Sequence, residues 1–522
     1  MKILVYSETT AETIKTNLGL PEYSYYFVLK EFLPALNELG EVVIVKNPEQ
    51  EVDALYAQYQ AKGESCVFLV FAPPHKTPIH FLCPTIPVFA WEFDSIPNEP
   101  WLNDPSQDWG YMLRQLGHAI THSEFTVATV HDLLGPQYPA ISIPAPVWDR
   151  FNEIRSAAHR LPSPTHTVQF EGVMLDSLKI DLFDYLYADP DKVHANTYGK
   201  FGQSVEAIEP TEQLTTAQSL TPPLARRPDL STWLRITLRY GIEWYRLVLR
   251  NSLPNALSRV LARLFRSVNR RKLTLPPNLS TVPAPTVSES IELNKSNPLS
   301  PSDHSIKLEG VVFTTVFNPY DGRKNWQDLL TAFCTALREK ADATLIFKLT
   351  HREYHSAITA MLKCMAQLPE FNCRVLLIQG YLGDDDYKSL VHATSFVVNA
   401  SYGEGQCLPL MEFLSCGKPA IAPRHSGMTD YINEDVAFVV DSWRDASAWP
   451  HDPRLACRTR RHHVSWEALT QAYAEAYLTF KEHPERYKYM SEQAISAMQV
   501  HCSRAAAVAK LEPLLRTASQ AS

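Results

Sequence analysis

The chain has 522 residues, of which 45% are hydrophobic and 11% aromatic, enough for two or three well-buried globular domains. Its net charge of −8 gives no general reason to expect nucleic acid as a partner. The nine cysteines are scattered and include no Cys-x-x-Cys pair, which argues for reduced thiols and against a disulfide framework or a zinc ribbon.

The beginning of the chain predicts a first strand rather than a targeting segment. Met1-Lys-Ile-Leu-Val-Tyr-Ser7 turns polar after six residues, so it does not have the pattern of a signal peptide. No run approaches the roughly 20 apolar residues that a membrane span needs. We therefore expect a cytoplasmic protein.

The first 151 residues alternate short apolar runs with helical patterns, which predicts a parallel sheet covered by helices on both faces. The predicted strands are Ile3–Tyr6, Val42–Val45, Val67–Phe71, Val88–Trp91, Ala119–Thr121 and Ala140–Ile143, and one of the predicted helices is Tyr25–Leu39.

Several polar or flexible residues follow these strands, where ligands bind in open α/β sheets. The loop around Gly19 precedes a predicted helix and can direct backbone N–H groups at a diphosphate, although a simple strand-to-helix turn fits equally well. Glu92 and Asp94 follow the fourth strand and can orient or deprotonate a hydroxyl, or serve as helix caps. His122 follows the fifth strand and is a candidate ligand contact, with a structural role as the alternative.

Residues 152–306 fit neither this series nor the next, and we interpret them as an insertion. Proline- and serine-rich runs within it read as linkers or disordered stretches. Residues 226–272 hold twelve Arg and Lys against two acids, with Trp, Tyr and Leu at helical spacing. Such amphipathic helices suit an anionic membrane surface, whereas an accessory helical hairpin packed on a domain is the plainer alternative.

A second strand and helix series runs from residue 307 to residue 484 and predicts another Rossmann-like domain. Its predicted strands are Val311–Phe317, Thr344–Lys348, Val375–Gln379, Ser395–Asn399, Ala420–Ala422 and Ala437–Val440, and its helices include Trp326–Glu339, Glu353–Leu368 and Asp384–Ala393. Two such units in one chain suit a ligand cleft between them.

Cationic residues accompany the strand ends of this second series. Arg323 and Lys324 follow the first strand, and Lys348 ends the second. All three can neutralise a departing diphosphate without a metal, while surface ion pairing is the alternative for each.

The most informative segment is 401–422, which reads as a strand end, a glycine turn, a short helix and a second strand. Its loop and helix start contain Glu404, Gly405, Gln406, Cys407 and Leu408, and Glu412 follows within the helix. Backbone N–H groups of residues 405–408 can hold phosphate at the helix start, with the two carboxylates on sugar hydroxyls. An ordinary strand–helix–strand connection with solvated acids is the other interpretation.

This segment resembles the donor-site signature of retaining GT-B glycosyltransferases of the GT4-like group: Glu, seven residues, Glu, then a small-Cys-Gly-x-Pro turn. The resemblance implies that Glu404 lies against the transferred sugar and that Glu412 holds the nucleotide ribose. It also implies that Lys324 contacts the pyrophosphate, with Arg323 substituting for an arginine that this chain lacks at residues 318–319. The histidine that follows the family's fourth strand is absent as well.

The resemblance implies a GT-B fold, an acceptor-side N-terminal domain, and a C-terminal helix in 485–522 that crosses back to it. The implied activity is retaining transfer of a sugar from a nucleotide sugar to a cell-surface polysaccharide, lipopolysaccharide or lipid-linked glycan, without a metal or other cofactor. The enzyme would then be cytoplasmic, with possible peripheral contact at the inner membrane through 226–272. The alternatives are a non-catalytic nucleotide-sugar-binding or scaffold protein, and an epimerase or phosphorylase of the same frame.

Overall fold

The structure is a computed structural model that describes residues 1–100, 104–155, 165–186, 301–449 and 458–520. The basic segment 226–272 and the linkers predicted around it therefore lie outside the described residues. All described residues belong to one unit of the chain.

The N-terminal domain is built on six parallel strands in the order β2-β1-β3-β4-β5-β6. Every residue of the third strand, Cys66–Phe71, is buried, as expected for a parallel strand with helices on both faces. The strands are β1 (Lys2–Tyr6), β2 (Glu41–Ile44), β3 (Cys66–Phe71), β4 (Thr85–Phe89), β5 (Ala119–Thr121) and β6 (Ala140–Ser142). The helices are α1 (Tyr23–Leu39), α2 (Pro48–Gln60), α3 (Trp109–Leu116) and α4 (Glu124–Leu134).

The C-terminal domain contains an eight-stranded sheet in the order β14-β13-β12-β9-β10-β11-β7-β8. Its strands are β7 (Thr165–Asp176), β8 (Ser302–Glu309), β9 (Val311–Phe317), β10 (Ala343–Leu349), β11 (Arg374–Gln379), β12 (Phe396–Val398), β13 (Ala420–Pro423) and β14 (Ala437–Val440). The helices between them are α5 (Trp326–Ala336), α6 (His355–Gln367), α7 (Asp384–Ala393) and α8 (Leu408–Ser415). Six of the strands are parallel, so their carboxyl ends lie at one edge.

Two strands differ from the sequence interpretation, which placed both largely in the insertion. β7 and β8 pair with each other, and β7 pairs antiparallel with β11, so both extend the C-terminal sheet. Buried residues alternate with exposed ones in β8 and in the part of β7 that pairs with it, as expected for antiparallel strands with one solvated face. The C-terminal domain therefore includes these parts of 152–306.

The predicted parallel strands of both series are confirmed, most of them within one or two residues. The fourth strand is the main exception, because it begins at Thr85 and ends at Phe89 rather than spanning Val88–Trp91. Trp91 belongs to the loop beyond the strand, at the edge where ligands bind in such folds.

The C-terminal helices join the two domains. A hairpin of β15 (Ser442–Ala448) and β16 (Arg458–Val464) precedes α9 (Trp466–Glu482), α10 (Pro484–Cys502) and α11 (Arg504–Gln520). The α11 helix packs on α1, and Lys510 donates a hydrogen bond of 2.9 Å to the Ser142 carbonyl. One hydrophobic cluster contains Phe32 and Leu69 of the first domain together with Met411 and Leu511. The predicted return of the chain to its N-terminal domain is therefore present.

Within the described part of the chain, none of the helices has the length and apolar character that crossing a bilayer requires.

Candidate active site

A cavity of about 1020 Å³, called the cleft below, lies between the carboxyl ends of the two parallel sheets. This is the edge at which open α/β sheets bind ligands, and the volume is in the range of small-molecule sites. Eleven of the thirteen predicted site residues line it: Gly19, Glu92, Arg323, Lys324, Lys348, Glu404, Gly405, Gln406, Cys407, Leu408 and Glu412.

The residue after Glu404 is Gly405, and the first domain comes too close to it to leave room for a side chain. A Cβ atom added to Gly405 would lie 2.8 Å from Ala90 Cβ and 3.1 Å from the Trp91 nitrogen, both in the first domain. The loop between β12 and α8 thus touches the end of β4 across the cleft. The helix begins after Cys407, which has a positive φ of 59°, and Pro409 occupies its first turn, where proline is tolerated.

Glu404 is buried and held by two cations. Its Oε1 lies 2.6 Å from Lys324 Nζ, and its Oε2 lies 3.0 Å from Arg323 Nη1. Burial alone raises the pKa of the Glu404 carboxyl, but the positive charges of Lys324 and Arg323 outweigh it and hold this pKa well below its ordinary value. Glu404 is therefore an ionised carboxylate in a site largely shielded from water.

Arg323 forms ion pairs with carboxylates of both domains. Its Nε lies 3.2 Å from Glu92 of the first domain and 3.0 Å from Asp321, while its Nη1 contacts Glu404. Burial lowers the pKa of Arg323, but Glu92, Asp321 and Glu404 raise it well above the ordinary value. Arg323 thus links the candidate base Glu92 to the candidate sugar contact Glu404.

Among the predicted cations, Lys348 has the least negative charge nearby to offset its burial. Its side chain is only 4% exposed, and Nζ donates to the carbonyls of Gly380 and Leu349. Burial lowers the pKa of Lys348 to about 7, and no charged group in the described residues offsets that effect. An anion entering the cleft would supply the countercharge that this lysine lacks.

Glu412 lies on α8, one turn into the helix. Its Oε2 accepts a hydrogen bond of 2.5 Å from the Tyr387 hydroxyl, and its Oε1 lies 3.2 Å from Arg150 Nη1. Burial raises the pKa of Glu412, while the charge of Arg150 and the Tyr387 hydrogen bond lower it. The sequence reasoning found Glu412 but neither Tyr387 nor Arg150, because their contacts are long-range and no local motif marks them.

The Gly19 loop contacts the second domain directly. A Cβ atom on Gly19 would lie 2.5 Å from the Thr350 carbonyl oxygen, and φ at this glycine is +78°. Asn318 Nδ2 donates a hydrogen bond of 2.9 Å to the Gly19 carbonyl, and the Tyr23 and Thr350 hydroxyls lie 3.0 Å apart. Only glycine fits this position, so the loop helps to close the cleft in addition to lining it.

Ser426 was also missed as a contact of Glu404. Its hydroxyl accepts a hydrogen bond of 2.9 Å from the Glu404 backbone N–H, and the Gly427 N–H donates to the Glu404 carbonyl at 2.9 Å. The turn 426–430 therefore fixes the backbone that carries Glu404.

Asp94 and His122 are absent from the cleft lining. Asp94 accepts a hydrogen bond of 2.9 Å from the Arg460 N–H and so holds the start of β16. His122 is fully buried, with Nδ1 3.0 Å from the Ile143 carbonyl oxygen, and burial lowers its pKa to about 4. Their geometry supports the structural alternatives for both residues.

Two Rossmann-like domains, a cleft between their strand ends and a helix that returns to the first domain together define a GT-B fold. Residues 310–449 match the family model for glycosyl transferases group 1. This segment contains Arg323, Lys324, Lys348, Glu404 and Glu412.

The chain is also similar, at low sequence identity, to several solved structures. Sucrose-phosphate synthase from Thermosynechococcus elongatus has a TM-score of 0.48 and 12% identity, with all of both chains covered. HepE from Anabaena, in complex with UDP and glucose, has a TM-score of 0.43 and 10% identity over 99% of this chain and 100% of its own. The pneumococcal O-GlcNAc transferase GtfA, in complex with UDP and GlcNAc, has a TM-score of 0.30 and 15% identity; the match covers 40% of this chain and 36% of that one. No curated protein matches the chain at a significant level.

Proposed function

We propose that this protein is a nucleotide-sugar-dependent hexosyltransferase. The observation that carries the proposal is the ion-paired Glu404 at the floor of the cleft, within the segment that matches the family model for glycosyl transferases group 1. A buried carboxylate that is kept ionised can stabilise positive charge where it develops on a reacting sugar.

In the proposed reaction the bond between the anomeric carbon and the diphosphate oxygen breaks, and its electron pair leaves with the nucleotide. Lys348 and Lys324 would neutralise the charge that accumulates on the departing phosphate. Backbone N–H groups of 405–408, before α8, would hold the same group. These cations would neutralise the phosphate charge that other enzymes neutralise with a metal ion. We therefore propose that no metal or other cofactor is needed.

The sugar itself would lie between Glu404 and Glu92. Glu404 would face the anomeric carbon as positive charge grows there, and Glu92 would take the proton of the attacking acceptor hydroxyl. Glu92 is held for this role by Arg323 at 3.2 Å. Transfer with retention of the anomeric configuration is the expectation that the GT4-like resemblance adds.

The acceptor that we propose is a cell-surface polysaccharide, a lipopolysaccharide or a lipid-linked glycan. The support for it is the composition of 226–272, whose arginines and aromatic residues suit an anionic membrane surface. Peripheral contact with the cytoplasmic face of a membrane is part of this proposal.

Release of nucleotide tests the proposed activity. The purified full-length chain is incubated with UDP-, GDP- and ADP-hexoses, and free nucleotide is measured with and without glycan acceptors. We expect release from one donor class, reduced about 10²- to 10³-fold in Glu404→Gln because the charge facing the anomeric carbon is lost.

The matched control for this variant is Glu492→Gln, on the outer surface of α10 and away from the cleft. Its rate should equal that of the wild type. Binding of a nucleotide sugar without release by the wild type would support the non-catalytic alternative, and an isomeric nucleotide sugar as the product would indicate an epimerase.

A further inference from the structure

Arg150 places one guanidinium among three carboxylates from both domains. It lies in the short helical turn Trp148–Phe151, at the end of the first domain. Its Nη1 is 3.2 Å from Glu412 Oε1 and 3.1 Å from Glu31 Oε1, and its Nη2 is 2.9 Å from Asp384 Oδ1. Glu412 and Asp384 belong to the second domain, so this cluster joins the two.

We propose that Arg150 is a positioning residue for nucleotide recognition, which keeps the Glu412 carboxylate charged and oriented toward the ribose hydroxyls of the donor. The inference rests on the proposed function, because it assumes that Glu412 receives the ribose. It adds a residue from the acceptor-side domain to the recognition of the donor.

The ionisation of Glu412 matters because ribose presents hydroxyl groups as hydrogen-bond donors. An ionised carboxylate accepts hydrogen bonds at both oxygens, whereas a protonated one gives up part of that capacity and becomes a donor itself. Burial disfavours the charged form of Glu412 and raises its pKa, and the charge of Arg150 is the largest effect that opposes this.

The other groups around Glu412 cannot replace Arg150. Tyr387 donates one hydrogen bond to Oε2, which orients the carboxylate but brings no positive charge. Asp384 raises the pKa of Glu412, and Lys30, which lowers it, is engaged with Asp384 at 3.0 Å. Cys416, directly after the end of α8, is a buried thiol whose pKa burial raises above its ordinary value.

Glu31 adds a second carboxylate that Arg150 must balance. It is buried on α1, and burial raises its pKa to about 7, with Arg150 lowering the pKa and Glu412 raising it. Around neutral pH the two glutamates therefore compete for one guanidinium. Loss of Arg150 would leave both beside each other without a direct cation, which favours protonation of both.

The test compares nucleotide affinity over a range of pH in the full-length chain. The probe is whichever of UDP, GDP and ADP binds the wild type most tightly by calorimetry. We expect wild-type affinity to fall between pH 7 and 9 as Lys348 loses its proton, a change that the variants share, and Arg150→Met to bind about tenfold more weakly than the wild type at pH 7. The loss relative to the wild type should shrink as the pH rises, because a higher pH favours the ionised form of Glu412 even without Arg150.

Two further variants separate charge from domain closure. Arg150→Lys retains a cation and should show a smaller loss with little pH dependence. Lys30→Met removes a neighbouring link between the domains, to Asp384, without removing a contact of Glu412. It should change the pH profile of nucleotide binding much less than Arg150→Met does, because the charge of Lys30 has a smaller effect on the pKa of Glu412 than that of Arg150.

A 2′,3′-dideoxynucleoside diphosphate completes the test, since it lacks the hydroxyl groups that Glu412 would bind. It should bind wild type and Arg150→Met with equal affinity. The inference is overturned if Arg150→Met keeps the wild-type profile, if its loss is the same at every pH, or if the dideoxy probe shows the same loss. If the wild type binds none of the three ribonucleotides, the proposed function is wrong. The present inference, which rests on that function, is then wrong as well.

Discussion

Lys348 illustrates how a single buried charge connects stability to ligand binding. Its ammonium group has backbone carbonyls as hydrogen-bond partners, and burial lowers its pKa to about 7. In the unfolded chain a lysine has a pKa of about 10.4. The folded state therefore binds this proton less readily than the unfolded state, which means that Lys348 destabilises the ligand-free protein while it is charged.

We expect Lys348→Met to raise the stability of the ligand-free protein and to weaken nucleotide binding. Removing an uncompensated buried charge should stabilise the fold by about 1–2 kcal/mol at pH 7. The wild type gains stability relative to the variant as the pH rises from about 7 towards 10, where the unfolded chain still holds the proton and the folded chain has lost it.

Denaturant unfolding at pH 7 and 9, with nucleoside diphosphate titrations beside it, measures both effects. A variant that is less stable and binds nucleotide normally would show that Lys348 is a structural residue. Lys488→Met provides a control, because Lys488 is an exposed residue of α10.

At the scale of elements, the cleft depends on two loops whose glycines allow the domains to touch. Gly405 follows β12 and meets Ala90 and Trp91 at the end of β4, and Gly19 follows β1 and meets Thr350 and His351 beyond β10. Each loop carries predicted ligand contacts and an interdomain contact at once. Closure and ligand recognition are therefore properties of the same short segments.

Gly405→Ala should open the cleft on one side. The added Cβ would lie 2.8 Å from Ala90 Cβ, which is closer than such atoms pack, so the loop or β4 must move. We expect a stability loss of about 1–3 kcal/mol and weaker nucleotide binding, since overpacking shifts the backbone that holds Glu404.

Gly383→Ala is the matched control, because a Cβ there would have an ordinary contact of 3.6 Å with Asp386. Thermal unfolding and calorimetry would follow both variants. Unchanged nucleotide affinity in Gly405→Ala would argue against a tight contact between this loop and β4 in the binding state.

The sequence was most predictive where the signal is local. Apolar runs located the parallel strands, and the turn, proline and glycine around 403–417 located α8, because each depends on neighbours in the chain. Strand β7 was missed although its first half alternates buried and exposed residues, since it pairs antiparallel with β11 and lies outside the regular strand and helix series.

The types of residue in the site were predictable from the sequence, but the contacts between them were not. Glu404 and Lys324 were named from a local motif, but nothing local indicates that Arg323 would reach Glu92 in the other domain. Arg150 and Tyr387 meet Glu412 only after the chain has folded, and Asp94 and His122 resembled site residues because they also follow strands. Long-range contacts decide which of several polar residues at a sheet edge faces the ligand.

At the scale of the whole molecule, the first domain contributes Glu92 and Arg150 to the cleft, and the second contributes Glu404, Arg323, Lys324 and Lys348. Sugar transfer by this arrangement requires one bound donor to contact both sets. The basic segment 226–272, outside the described residues, would add the contact with an acceptor-bearing membrane.

A crystal structure with the preferred nucleoside diphosphate bound tests the central claim most directly. We predict that the diphosphate lies beside Lys348, Lys324 and the backbone N–H groups of 405–408, with the ribose hydroxyls within hydrogen-bonding distance of Glu412. A nucleotide bound outside the cleft at saturating concentration, or a cleft that remains empty, would contradict the account.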